Sequence, residues 1–226
     1  RDAGSPAVQD GAEARADQVR LAIEHANTAV NGAANTPETR GMATTLVVVF
    51  VEGPTVTVGN VGDSRCYILR GDTMTQVTRD HSFVAEEVAR GALTPEEAAT
   101  HPRRNMLTRA IGVDGRVQVD TFQLAAEEND VFILCSDGLY GMVSDGEIAT
   151  VLRTEEPGEA AEALVALANE AGGKDNVTVV VARVVSLEPP PLTAPEGSSA
   201  RTLTGRGARR RNPLAAVSRL LFRRGR

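Results

Sequence analysis

Aromatic side chains are almost absent from this chain, which has no Trp, two Tyr and five Phe in 226 residues. Its core must therefore be aliphatic, built from Val, Leu, Ile and Ala. Few stacking groups and a net charge of −6 argue against nucleic acid as a partner. Cysteine is nearly missing too. Cys66 and Cys135 fit no metal-binding spacing and read as reduced core residues of a cytosolic protein. No apolar run approaches the roughly 18–20 residues of a membrane span, and no signal-peptide pattern is visible, so a cytoplasmic location is expected. Methionine is lacking at position 1, where Arg1 stands, and the expectation is a piece of something longer.

The stretch that is rich in signal is Val131-Phe132-Ile133-Leu134-Cys135-Ser136-Asp137-Gly138-Leu139. Five apolar residues run into Ser-Asp-Gly, the pattern of a buried strand that delivers a carboxylate to the edge of a core. Val61-Gly62-Asp63-Ser64-Arg65 repeats the device, and Gly173-Lys174-Asp175-Asn176 precedes the apolar run Val177–Val181. Three short carboxylates at strand ends, beside glycines, point to a site for a hard cation such as Mg²⁺ or Mn²⁺. Taken singly, each Asp has a blander reading as a turn residue.

The length suits one domain with extras. Residues 1–12, including Asp10-Gly11, read as loose. Apolar residues from Val19 to Val30 fall at helical spacing, predicting an amphipathic helix over 13–34 that ends at Asn35-Thr36-Pro37. Short β-branched runs at 46–51, 55–61, 64–69 and 75–78, joined by Gly and Asp turns, predict an antiparallel meander. Helices are expected at 83–90, closed by Gly91, and after Thr94-Pro95-Glu96-Glu97, which supplies a cap, a first-position Pro and a Glu. This helical excursion reads as an insertion over one end of the sheets, with the character of a lid. Strands resume at 117–124 and 131–135. Ser144-Asp145-Gly146-Glu147 opens a short helix, 159–171 is an amphipathic helix stopped by Gly172, and 177–185 is the closing strand. The order indicates an α+β domain with helices packed on stacked antiparallel sheets.

Four of these stretches together carry a resemblance. Gly41-Met42-Ala43-Thr44-Thr45, Val61-Gly62-Asp63-Ser64-Arg65, Leu134-Cys135-Ser136-Asp137-Gly138-Leu139 and Asp175-Asn176-Val177-Thr178 resemble, in order and approximate spacing, motifs of the metal-dependent PPM-type Ser/Thr protein phosphatases. Arg79-Asp80-His81-Ser82 and His101-Pro102-Arg103-Arg104-Asn105 resemble the flap of the bacterial members. The resemblance covers about residues 13–185. It implies a four-layer α-β-β-α sandwich and attack by a metal-bridging water on phosphoserine or phosphothreonine of proteins. It also implies two ions of Mn²⁺ or Mg²⁺, with a third, weaker one in bacterial members. Asp137 and Asp175 would be ligands of the dinuclear centre and Asp63 the ligand of the third ion. Gly62, Ser64, Gly138 and Asn176 would support the turns, and neither Ser64 nor Ser136 would be a nucleophile. Family members also carry an early strand pair with a phosphate-gripping Arg, an acidic pair and an Asp-Gly-x-Gly-Gly loop, which this sequence lacks. The expected domain, residues 1–185, is therefore an N-terminally incomplete phosphatase.

Two rivals stand beside that reading. A serine hydrolase would use Gly62-Asp63-Ser64 with a downstream His, although no Gly-x-Ser-x-Gly elbow occurs. A catalytically inactive regulatory or binding module would explain an incomplete metal cradle. The three histidines, His25, His81 and His101, are expected at the surface. A Pro- and Ser-rich linker is expected over 186–205 and a basic tail over 206–226. The segment from Ser186 onward carries +7 against −13 for residues 1–185. Arg206, Arg209–Arg211 and Arg219–Arg226 flank Leu214, Val217, Leu220, Leu221 and Phe222, a pattern suited to an anionic membrane surface or to a solvated end. Phosphorylated proteins are the expected partners, and a monomer is the expected state.

Overall fold

The computed structural model describes residues 6–187. Helix α1 (Pro6–Ala33) is longer than its apolar periodicity predicts and runs through Asp10-Gly11. Proline is tolerated at a first helical position, where its missing N–H has no partner to lose. Ala7, Gln9 and Ala12 are good helix formers that outweigh one interior glycine. The helix buries Val19, Ile23 and Asn27, spaced by one turn. Hydropathy does not mark Asn27. Its Nδ2 donates to Asp114 O at 2.9 Å, and its Oδ1 accepts the Gly112 N–H at 2.8 Å, which anchors the turn before the next strand.

Two antiparallel sheets follow. Strands β1 (Leu46–Glu52), β2 (Thr55–Val61) and β5 (Asp120–Ala125) form one, in the order β1-β2-β5. Strands β3 (Arg65–Arg70), β4 (Thr73–Gln76), β6 (Val131–Cys135) and β7 (Val179–Arg183) form the other, in the order β4-β3-β6-β7. Between β4 and β5 lie α2 (Phe83–Ala89) and α3 (Pro95–Thr100). Between β6 and β7 lie α4 (Asp137–Tyr140), α5 (Asp145–Thr154) and α6 (Pro157–Glu170). Three cores separate the layers. Val19, Ile23, Val61 and Ile111 join α1 to the first sheet. Val56, Val58, Cys66, Ile68 and Phe132 fill the space between the sheets. Tyr67, Ile133, Leu139, Ile148, Leu152 and Leu164 join the second sheet to α5 and α6. The α-β-β-α sandwich is thus observed. Strand β6 serves two cores by alternation, which is why it reads as an unbroken apolar run.

Strand ends shift where side chains intervene. The expected 75–78 strand is β4 at 73–76, because Thr78 turns its hydroxyl to accept the Cys66 N–H at 3.0 Å and the chain leaves the ladder. Cys66 and Cys135 are free, buried thiols, and burial pushes both pKa values up to about 12, so they stay protonated. Among the described residues no helix is long and apolar enough to cross a membrane. Apart from Ser186 and Leu187, the linker and basic tail lie outside the described residues.

Candidate metal centre

Strand register decides where the three aspartates go. Arg65 pairs with Cys135, and Cys135 pairs with Val179 on its other side. The pairs are antiparallel, so the entry to β3, the exit of β6 and the entry to β7 share one end of the sheet. Asp63, Asp137 and Asp175 stand just beyond those three strand ends. Asp137 and Asp175 are exposed and Asp63 is half-buried.

The Asp137 and Asp175 loops are fastened together. Ser136 N–H donates to Thr178 O at 3.1 Å, while Ser136 Oγ accepts the Thr178 N–H at 3.0 Å and donates to Asn176 O at 3.2 Å. Gly138 lets this approach happen, since a Cβ there would lie 2.4 Å from Asn176 O. Asp175 Oδ1 accepts the N–H of Asn176 at 2.7 Å, which orients its carboxylate against its own loop.

The Asp63 loop is held from other directions. Gly62 has φ of +105°, and a Cβ on it would meet Thr45 Cγ2 at 2.4 Å, so glycine is required there on both counts. Thr45 Oγ1 and Ser64 Oγ are hydrogen-bonded at 2.8 Å, which ties the Gly41–Thr45 motif to this turn. Tyr140, in the short helix that Asp137 begins, donates its hydroxyl to Asp63 O at 3.0 Å. Arg65 stacks over the Tyr140 ring at 3.6 Å, forks onto Asp80 through Nε and Nη2 with its closest contact at 2.7 Å, and donates to Tyr67 Oη at 2.8 Å. Arg65 therefore directs its hydrogen bonds to Asp80 and Tyr67 and forms no ion pair with Asp63. Sequence reasoning misses Tyr140, although one of only two Tyr, two residues after Ser-Asp-Gly, is a usable signal.

Electrostatics mark the same place. Burial and then the Asp137 carboxylate push the pKa of Asp63 up. Among the described residues no basic side chain forms an ion pair with Asp63, Asp137 or Asp175. Asp63 and Asp137 are oxygen donors whose like charges face each other, which fits a hard divalent cation. However, among the described residues no three His, Cys, Asp or Glu side chains converge as a complete ligand set. Beside Asp175 lies a polar cleft of about 440 Å³ lined by Asn169, Lys174, Asp175 and Asn176.

The histidines divide. His25 is exposed on α1, and His101 stacks on Phe83 with ring centroids 5.5 Å apart. His81 departs from the expected surface position and is only 4% exposed. Its Nδ1 accepts the Gly62 N–H at 3.1 Å. Ser64 bonds to Thr45 and His81 to Gly62, so the nucleophile–base contact that a serine hydrolase needs is not made.

Comparison with known proteins agrees with this geometry. The Protein phosphatase 2C family model matches residues 6–90, and that of Stage II sporulation protein E (SpoIIE) matches residues 90–185. The serine/threonine phosphatase stp of Listeria innocua is 44% identical over 142 residues, which are 62% of this chain and 56% of that protein. The chain thus spans just over half the length of such curated relatives. The serine/threonine phosphatase of S. agalactiae superposes with a TM-score of 0.71 at 38% identity, covering 75% of this chain and 70% of that one. The catalytic domain of PstP, solved in complex with 2 manganese ions, gives 0.66 at 37% identity over 75% and 71% of the two chains. On sequence motifs, strand order and these likenesses together, the chain belongs to the bacterial PPM-type Ser/Thr phosphatase family.

Proposed function

We propose that this chain forms the greater part of a cytoplasmic phosphatase that removes phosphate from phosphoserine and phosphothreonine of proteins. The observation that carries the reading is the strand register, which supports a common site for Asp63, Asp137 and Asp175 at one end of the second sheet. Asp137 and Asp175 would hold two ions of Mn²⁺ or Mg²⁺, and Asp63 would hold a third. Bound there, the cations supply a water of lowered pKa and neutralise charge on the phosphoryl oxygens. The chain's own part is positional. Ser136 and Gly138 keep the Asp137 and Asp175 loops in contact, and Tyr140 fixes the Asp63 backbone against the helix that Asp137 begins.

The ligand set within residues 6–187 is partial, so the remaining carboxylates would come from a segment outside these residues. The first sheet has a place for it. Strand β1 is an edge strand, and beside it an apolar groove of about 260 Å³ is lined by Val19, Ala22, Ile23, Leu46, Val48 and Phe50. An added strand would cover that groove and satisfy the free edge. Residues 1–226 alone should bind metal weakly and turn over little, because facing carboxylates without enough cation repel one another.

The test is hydrolysis of a phosphothreonine peptide by the domain completed with such a segment. Activity should require Mn²⁺ or Mg²⁺, and Asp137→Ala should remove nearly all of it. Asp63→Ala should cost less, because the third ion is peripheral to the attacking water. Full activity in excess chelator would refute the metal role. Metal binding and phosphopeptide binding without turnover in the completed domain would favour the regulatory module instead.

A further inference from the structure

His81 sits where the flap leaves the second sheet, and it is bonded on every side. Its main-chain N–H donates to Gly62 O at 3.0 Å, and its main-chain O accepts the Thr108 N–H at 2.9 Å from the far end of the flap. Its ring reaches back to the same glycine, with Nδ1 accepting the Gly62 N–H at 3.1 Å. That bond dictates the tautomer, because an Nδ1 that accepts leaves the proton on Nε2. Nε2 then donates to Asp120 Oδ2 at 3.2 Å. Arg109, from the flap's return, donates Nη1 to Asp120 Oδ1 at 2.7 Å. Arg109 Nη1 also lies 3.3 Å from His81 Nε2, but both atoms carry protons, so they are two donors sharing one carboxylate. Burial lowers the His81 pKa and keeps the ring neutral, in agreement with this arrangement.

We infer that His81 is a positioning residue that clamps the Gly62-Asp63 turn by both main-chain groups of Gly62 and couples it, through Asp120 and Arg109, to the flap. The inference rests on the proposed role of Asp63 as a metal ligand. Its chemical content is that the aim of the Asp63 carboxylate depends on the flap's anchorage, so a change at the flap reaches the peripheral ion without touching it. Nothing in the mechanism otherwise uses His81, Asp120 or Arg109.

The Gly62 amide is the direct probe, because its hydrogen is the one His81 holds. We would measure its exchange by NMR in the metal-free chain for wild type, His81→Ala, His81→Asn and His81→Gln. An Asn Oδ1 falls near the position of Nδ1, whereas a Gln Oε1 overshoots it. Alanine and glutamine should speed Gly62 exchange about 5- to 10-fold, the loss expected for one hydrogen bond, and asparagine should restore most of the protection. Arg109→Ala should give a smaller rise at the same amide. The long-range ¹⁵N couplings of His81 should report a proton on Nε2. Equal exchange in His81→Ala and His81→Asn would reduce His81 to packing and overturn the clamp, as would a proton on Nδ1. An Arg109→Ala chain with unchanged Gly62 exchange would overturn the link to the flap. Mn²⁺ titration of the same chains, with Asp63→Asn as reference, separates this from the functional reading. If the clamp matters for metal, His81→Ala should weaken the Asp63-dependent binding and His81→Asn should recover it. If Asp63→Asn leaves Mn²⁺ binding unchanged, the metal role of Asp63 fails, while the exchange data still judge the clamp.

Discussion

At the scale of single residues, the site is organised by atoms that allow two backbones to meet. Gly138 is the sharpest case, because any Cβ would press on the carbonyl oxygen of Asn176, a main-chain atom that cannot swing aside. Gly138→Ala should therefore destabilise the fold by about 1–3 kcal/mol, as overpacking does. Gly158 is the fitting control, since it lies in α6 and a methyl group there would meet nothing within 4 Å. Gly158→Ala should be neutral or stabilising by up to about 1 kcal/mol through its helix propensity. Urea unfolding midpoints of the two variants check the contrast. A Gly138→Ala chain as stable as wild type would mean that the two loops can part without cost. The sequence marks Gly138 only as part of an Asp-Gly pair, and its neighbour across the gap is set by the β6–β7 pairing.

At the scale of elements, α3 and α5 begin with the same capping box and differ in what they bury. Ser144 accepts the Glu147 N–H while the Glu147 carboxylate accepts the Ser144 N–H, and α5 then packs Ile148, Ala149 and Leu152 into the core. Thr94 and Glu97 do the same for α3, which is six residues long and buries only Ala98. A cap is worth about 1 kcal/mol in either place, but its loss shows differently. Ser144→Ala should lower the global unfolding free energy by about that amount, because α5 is tied to the main core. Thr94→Ala should instead raise amide exchange within α3 and leave the global transition almost unmoved, since little else depends on that helix. Calorimetry for the first and site-resolved exchange for the second are sufficient tests. Equal effects on the melting temperature would show that α3 belongs to the main cooperative unit.

At the scale of the whole molecule, charge sets the response to pH. Burial lowers the pKa of His81, so the unfolded chain binds its proton first as pH falls. Asp120 is partly buried, which would raise its pKa, but the bonds from His81 and Arg109 more than offset this and hold it low. Asp130 is held low in the same way, by Arg70 and the Glu127 N–H against its burial. All three groups give the unfolded state more bound protons on the acid side, so stability rises with pH there. The loss on acidification should begin below the ordinary imidazole value of about 6.5 and deepen below the ordinary aspartate value of about 3.9. Asp63 acts in the opposite sense, its raised pKa giving stability below that value which fades above it. Urea midpoints measured from neutral to acid pH should fall in two stages, and a flat profile above the aspartate range would count against a neutral, buried His81. The tail 206–226 belongs to this scale too. We propose that its arginines meet an anionic membrane, each worth about 1 kcal/mol near the surface, while the −13 body is repelled. Co-sedimentation with anionic vesicles should be lost at high salt and on removal of 206–226, and unchanged binding of the shortened chain would end the idea.

Much of the architecture is legible in the sequence because it rests on short-range physics. The alternation in β2, the unbroken apolar run of β6, the capping boxes at Thr94 and Ser144, and the glycine stop after α6 are each set by residues within a few positions of one another. Local signals misplace several ends, as at Pro6, where hydropathy falls silent but helix propensity continues, and they miss the four-residue helix α4 altogether. The three candidate aspartates are also visible, because Asp beside Gly at the end of an apolar run is a local pattern. What no local pattern holds is who faces whom. Register across β3, β6 and β7 brings Asp63, Asp137 and Asp175 to one end of a sheet, and the two cores on either face of that sheet hold it in place. The same packing buries His81 against Gly62 and Asn27 against the 112–114 turn, two polar residues that composition alone assigns to water. A polar side chain is driven inside only where partners from distant segments replace its water, and those partners exist only once the sheets have paired.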